Sequence, residues 1–407
     1  MAVVKSPECV VGSEHTSVKG PLLVMLAAPL LGHTAPMLHV AREMIARGFE
    51  IIFISSGDFK EAVERIGAHW FEQPPWLDAH GTIERKKQPI GVSRFLWTWQ
   101  NVWLAQLSVR HQRLKSLLEM VREEDADRRI VIVSETLSLG TLPFVLGASL
   151  PRGYNRFPKV ICLNFMPLLV SSIDTAPFGA GLEPNYTPIG RRYNNFLSRL
   201  MYGPTYGLPW ALITKMCHEC LIEIGCTGVP KDKFFMDLFL SSYDTTFQMS
   251  PPSLEYPRSD LNPSIRYAGS LPPRGIDSGT IYPEWWSQIV ENAAMDQDNP
   301  QKKKIVVVTQ GTVSVEYAEL IVPTLEGLAP RSDTIIIVIL GLQGATLPRG
   351  ITIPANARLV DILPYDAALM YADVFITNGG YGGVLHIQTR MLTQALLWRH
   401  HESVLSP

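Results

Sequence analysis

The chain has 407 residues, 46% of them hydrophobic and 18% charged, with 36 lysines and arginines against 38 aspartates and glutamates and a net charge of −2. That length suits two domains, each large enough to bury its own core, and the lack of a basic excess argues against nucleic acid as a partner. The longest apolar runs, Leu22 to Leu31 and Thr334 to Leu342, fall short of a bilayer span and carry strand-type residues, so no transmembrane helix is expected.

Met1 to Gly20 lacks the apolar centre of a signal peptide and contains Pro7, Glu8 and Glu14. It reads as a disordered lead (residues 1–20), with a cytoplasmic location as the default. Leu22 to Pro29 then forms a strand-like run, followed by Leu31-Gly32-His33-Thr34-Ala35-Pro36. Met37, Val40, Ala41, Met44 and Ile45 recur at helical spacing up to an Arg47-Gly48 stop, and Glu50 to Ser55 is a second strand. This strand-helix-strand unit is the building block of a parallel sheet covered by helices. It places His33 in the loop at the carboxyl end of the first strand, where such sheets bind ligands. A lone loop histidine is usually just solvated, and this place beside a glycine and ahead of a helix raises the functional reading without putting it ahead.

Gln73 to Gln88, rich in proline and charge, reads as a loop, and Phe95 to Val121 as one or two helices with apolar and aromatic residues at helical spacing. Their tryptophans either fill the core or line an apolar acceptor pocket. Arg129 to Ser134 is a buried strand that ends in Glu135. A carboxylate there can orient a histidine at the end of a neighbouring strand and stabilise its protonated form, or it can cap the next helix. Cys217, Cys220 and Cys226 are the one cysteine cluster among five cysteines. Their spacing could begin a zinc site, but no fourth ligand is apparent, and core packing on a helix is the preferred reading.

Residues 21–250 form the first domain on this reading. The proline-punctuated stretch 251–280 is the linker, and 281–407 the second domain. In the latter, Lys304 to Thr309 is a strand ending in Gln310-Gly311-Thr312-Val313-Ser314, ahead of a helix from Glu316 to Leu328. Thr334 to Leu340 and Ala357 to Leu363 are further strands. The apolar run Ala372 to Ile376 leads into Thr377-Asn378-Gly379-Gly380-Tyr381-Gly382-Gly383, with four glycines in five residues. Such a strand-to-helix turn is either an ordinary connection or an anion cradle, because glycine lets the backbone approach a diphosphate and the helix start supplies free N–H groups. Two α/β halves with complementary loops imply a cleft between them. A dehydrogenase is disfavoured, because no G-x-G-x-x-G follows the first strand of either half.

Gly32-His33-x-x-Pro36, the run Asn356 to Pro364 and Thr377-Asn378-Gly379-Gly380-Tyr381 together resemble the UDP-glycosyltransferase family, in its fungal and bacterial branch acting on small lipophilic acceptors. The resemblance extends over nearly the whole chain from Leu22. It implies an α/β fold of two facing Rossmann-like domains (the GT-B type), acceptor on the first and nucleotide sugar on the second. It makes His33 the general base and puts Glu135 in the place of an orienting carboxylate that is usually aspartate. The donor side would comprise Gly311, Thr312, Ile362, Asn378, Gly379, Gly380, Gly382 and Gly383. Several of these depart from the family pattern: Ile362 stands for a base-stacking aromatic, Tyr365 for a glutamine, Asn378 for a histidine, Gly383 for a serine or threonine, and His386 for a ribose-binding carboxylate.

The resemblance implies an inverting transfer of a sugar, glucose from UDP-glucose, to a hydroxyl of a small lipophilic acceptor such as a sterol, lipid or secondary metabolite. The UDP-sugar is a substrate, and neither cofactor nor metal is required. Apolar loops leave peripheral membrane contact open. After Val384 the family would continue through a Gly-Val-Pro turn, a strand and an acidic pair, none of which is evident in Leu385 to Pro407, so the second domain is expected to be incomplete. The alternative reading is therefore a catalytically inactive member that binds or partners another protein.

Overall fold

The structure, a computed structural model, describes residues 20–203, 208–231, 233–273, 281–311 and 316–388. Two parallel sheets organise it. The first contains β1 (Leu22–Leu26), β2 (Ile51–Ser55), β3 (His69–Glu72), β4 (Ile130–Glu135), β5 (Lys159–Asn164), β6 (Thr245–Gln248) and β7 (Ile265–Tyr267), in spatial order β3-β2-β1-β4-β5-β6-β7. The second contains β8 (Lys304–Thr309), β9 (Thr334–Ile339), β10 (Ala357–Val360) and β11 (Val374–Thr377), in order β10-β9-β8-β11.

Both sheets are buried on both faces, which explains their continuous apolar strands. In β1, Leu22, Val24 and Leu26 join one core while Leu23 and Met25 join the core on the opposite face. In β8, Ile305 and Val307 face one core, and Val306 and Val308 the other. Each sheet reverses its winding direction once, between β1 and β4 in the first and between β8 and β11 in the second. At such a reversal the connections leave to opposite sides and open a crevice at the carboxyl ends of the strands.

Several elements differ from the sequence expectation. The first helix spans Leu31–Ala46, so His33 lies in its first turn and not in a loop. Pro36 sits inside this helix, but its missing N–H would have reached Gly32, which is exposed, so no buried carbonyl is orphaned. A helix at Ala79–Lys87 occupies the segment expected to be a loop. It has no apolar stripe, but Asp78 caps it by accepting from the Gly81 N–H at 2.7 Å, and Arg85, Lys86 and Lys87 fill its last turn. The expected linker 251–280 contains β7, which pairs with β6 and extends the first sheet beyond residue 250. The aromatic helical region is divided into Val92–Thr98, a π-helical turn at Trp99–Leu104 and Leu107–Glu124. Cys217 and Cys226 are buried in the first domain's core. Among the described residues no helix is long and apolar enough to cross a membrane.

Candidate active site

β1 and β4 pair directly, with Leu26 opposite Ser134. This register brings the helix that starts after β1 next to the last residue of β4. His33 Nδ1 and Glu135 Oε1 lie 2.8 Å apart, with the His33 side chain 18% exposed and Glu135 fully buried. The imidazole is thus open to a ligand on one side and held on the other. Glu135 also accepts from the Leu137 N–H at 3.1 Å and, through Oε2, from the Ala28 N–H at 3.2 Å. These bonds satisfy a buried carboxylate that would otherwise be strongly disfavoured. An ionised carboxylate can only accept, so Nδ1 of the histidine carries the proton of this bond and Nε2 of the neutral ring is left to accept one.

Burial pulls the His33 pKa down, but the charge of Glu135 and its hydrogen bond outweigh burial and raise it above the ordinary 6.5, with Arg110 acting weakly against them. Arg110 is itself 1% exposed and bonds the Leu137 carbonyl and Gln106 Oε1. Burial lowers its pKa to about 10 while Glu135 raises it, so it stays charged at neutral pH. Trp103 stands edge-on to the His33 ring at 6.3 Å and beneath the Arg110 guanidinium at 5.8 Å. Trp76 and Trp99 pack against Trp103, and Trp99 contacts Phe235, so an aromatic wall runs from His33 into the core. Trp99 and Trp103 belong to the core, Trp76 is partly buried against it, and Trp103 is the ring in contact with His33.

The second sheet places its loops in the same way. β8 and β11 are neighbours, with Thr309 opposite Thr377, so Gln310-Gly311 and Asn378 to Gly383 leave side by side. Asn378 joins them by donating from Nδ2 to the Gln310 carbonyl at 3.0 Å. Gly311 and Gly379 adopt φ of +75° and +76°, a conformation that favours glycine. A Cβ added at Gly311, Gly379 or Gly382 would meet no atom within 4 Å, so open space lies before these backbones. The helix Tyr381–Gln388 begins at this space and offers its first N–H groups. Ile362 is 42% exposed just beyond β10. His386 lies 3.3 Å from Asp366, and Tyr365, half-buried beside it, has its hydroxyl 3.4 Å from that of Thr309. Thr312 and the tail beyond residue 388 lie outside the described residues.

The two carboxyl edges are opposed. Gln248, the last residue of β6, donates to the Tyr381 hydroxyl at 2.9 Å, and that hydroxyl donates to Glu255 at 2.9 Å. This contact joins the glycine turn to the carboxyl edge of the same sheet that carries the His33–Glu135 pair.

No family model matches the chain. Among characterised proteins it is 35% identical over 372 residues to UDP-glucosyltransferase 1 of Beauveria bassiana (strain ARSEF 2860), a match covering 89% of this chain and 77% of the relative. The chain belongs to the UDP-glycosyltransferase family. UDP-glucosyltransferase B1 of Starmerella bombicola is 31% identical over 386 residues, covering 91% and 80%. Membership makes the protein a UDP-dependent glycosyltransferase, and the fold agrees. The glycotransferase of kitacinnamycin superimposes with a TM-score of 0.61 at 17% identity, covering 94% of this chain and 82% of that one. SnogD from Streptomyces nogalater gives 0.56 at 17% identity, covering 94% and 83%. Both share the GT-B arrangement of two Rossmann-like domains.

Sequence reasoning missed Arg110 as a neighbour of the pair, because an arginine at helical spacing reads as surface. It also missed Asn164 and Gln248. Asn164 carries the signal that exposed Glu135, a polar residue terminating an apolar strand, whereas Gln248 ends the mostly polar run Thr245–Gln248 and carries no such signal.

Proposed function

We propose that this UDP-glycosyltransferase moves glucose from UDP-glucose to a hydroxyl of a small lipophilic acceptor in a single inverting step. The observation that carries the proposal is the 2.8 Å His33–Glu135 pair at the reversal point of one sheet, opposed to the glycine cradle at the reversal point of the other. His33 Nε2 takes the proton of the acceptor hydroxyl as its oxygen bonds to the anomeric carbon, and Glu135 stabilises the imidazolium that forms. The bond from that carbon to the diphosphate breaks on the opposite face, and its electron pair leaves with UDP.

On this reading the amides of Gly311, Gly379, Gly380, Gly382 and Gly383, with Asn378, Thr312 and the helix dipole, carry the developing charge of the leaving group, with no metal required. Ile362 borders the base. Trp103 beside His33, with Trp76 packed against it, suits a lipophilic acceptor, and the donor preference follows the names of the fungal relatives. The test is product analysis with the purified chain, UDP-glucose and a panel of hydroxylated lipids and aromatics, with His33→Ala as the control. A β-glucoside made by the parent chain and lost in the variant supports the proposal. An α-glucoside, or turnover undiminished in His33→Ala, overturns it.

A further inference from the structure

Four of the five residues from Gly379 to Gly383 are glycine, and the fifth, Tyr381, carries its side chain out of the turn to the other domain. Its hydroxyl meets the end of a buried polar relay. The Thr136 hydroxyl donates to Asn164 Oδ1 at 2.9 Å, Asn164 Nδ2 donates to Gln248 Oε1 at 2.6 Å, and Gln248 Nε2 donates to Tyr381. Thr136, Asn164 and Gln248 are all 0% exposed. They occupy the carboxyl ends of three adjacent strands, β4, β5 and β6, and Thr136 directly follows Glu135. Buried amides are costly unless bonded, so a row of them specifies geometry more than it adds stability. Each donor in the row is matched to an acceptor, which fixes the flip of both amides and leaves Gln248 Nε2 aimed at the cleft.

We propose that Tyr381 is a positioning residue: its hydroxyl docks the glycine turn onto the edge of the first sheet and sets the donor cradle in register with His33–Glu135. The proposal rests on the transferase reading above. The docking is also releasable. If the cleft opens, Gln248 Nε2 keeps the Met166 carbonyl at 3.0 Å and Ser250 at 3.3 Å, and Glu255 keeps the Leu168 N–H at 3.0 Å and Arg258 at 3.7 Å. Neither partner is stranded in an apolar surrounding, so the contact can form and break once per turnover.

The test compares Tyr381→Phe, Gln248→Met and the double variant in the full chain. Three quantities are measured: UDP-glucose turnover, UDP affinity by calorimetry, and amide exchange of residues 377–388 with UDP bound. Loss of these bonds should lower kcat about five- to twentyfold in either single variant. The double variant should lose less than the product of the two single losses, since both singles break the Gln248–Tyr381 bond, while Gln248→Met leaves Tyr381 on Glu255 and Tyr381→Phe leaves Gln248 on Asn164. UDP affinity should stay within about twofold, because the turn amides are untouched, while exchange in the turn accelerates. Unchanged kcat with unchanged exchange, or additive losses in the double variant, would overturn the proposal. If the parent chain turns over no UDP-glucose, the transferase reading fails by itself, and the exchange cycle then decides the docking contact alone.

Discussion

Glu135→Gln isolates the charge of the pair from its shape. The carboxylate accepts from His33 and Leu137 through Oε1 and from Ala28 through Oε2. An amide has one accepting oxygen. Its better placement keeps His33 and Leu137 and turns the amide N–H groups toward the Ala28 N–H, a donor facing a donor at a fully buried site. That mismatch should cost about 1–3 kcal/mol of stability. The histidine changes more. With the charge gone, burial and Arg110 remain, and both lower the His33 pKa, so it should fall from above 6.5 to below it. A base must be neutral to accept a proton, so the acid limb of kcat/KM should move to lower pH while the plateau drops by about 10²–10⁴, the size expected when an imidazolium loses its charged partner. UDP release measured between about pH 5 and 9 reads both effects. A plateau within about threefold of the parent with the limb unmoved would refute the assigned role.

His111 should make the fold acid-sensitive. Burial, against the Gly140 carbonyl, lowers its pKa to about 4, while the unfolded chain titrates near 6.5. The stability this provides is complete above pH 6.5 and is lost as the pH falls toward 4, up to about 3 kcal/mol. His111→Phe, which can keep the contact with Phe144 at 4.1 Å, should flatten the drop in melting temperature between neutral and acid pH. Ile362→Trp, on an exposed position beyond β10, should tighten UDP binding about three- to tenfold by calorimetry if a base stacks there, and should leave it unchanged otherwise. Gly379→Ala meets no steric obstacle but must hold φ near +76°, so a conformational penalty of about 1–2 kcal/mol should weaken UDP. Gly327→Ala, in the helix Ile321–Leu328 without positive φ and with no atom within 4 Å of an added Cβ, serves as the control. Equal effects in both would show that the turn's conformation does not matter.

The strands were legible because both sheets are covered on both sides, and β8 and β9 appear as unbroken β-branched runs. The two halves of the candidate site stand out in the sequence for a related reason. His33 and Glu135, and likewise Gly311 and Asn378, interrupt apolar runs at strand ends, where a parallel sheet binds its ligands. What was not legible depended on contacts across the sequence. The Ala79–Lys87 helix rests on the Asp78 cap and a basic last turn, without an apolar stripe. β7 is three residues long and becomes a strand by pairing with β6. Gln73, in a stretch that reads as loop, is buried and donates to the Ala27 carbonyl at 2.7 Å, an arrangement nothing local announces. Arg110 and the Tyr381 bridge likewise emerge from packing between distant segments.

The widened turn at Trp99–Leu104, marked by the Ala105 N–H bonding back to the Gln100 carbonyl, contains one residue more than a regular helix would need. Removing one residue there would rotate the preceding segment by about 100° relative to the one that follows. Phe95, 5.0 Å from Trp210, lies on one side of this joint, and Trp103, which contacts His33, lies toward the other. Length variation at a single point can therefore re-aim Phe95 against Trp210 while the ring beside the histidine keeps its place. Descendants of this sequence could reshape the segment before the joint without disturbing the His33–Glu135 pair.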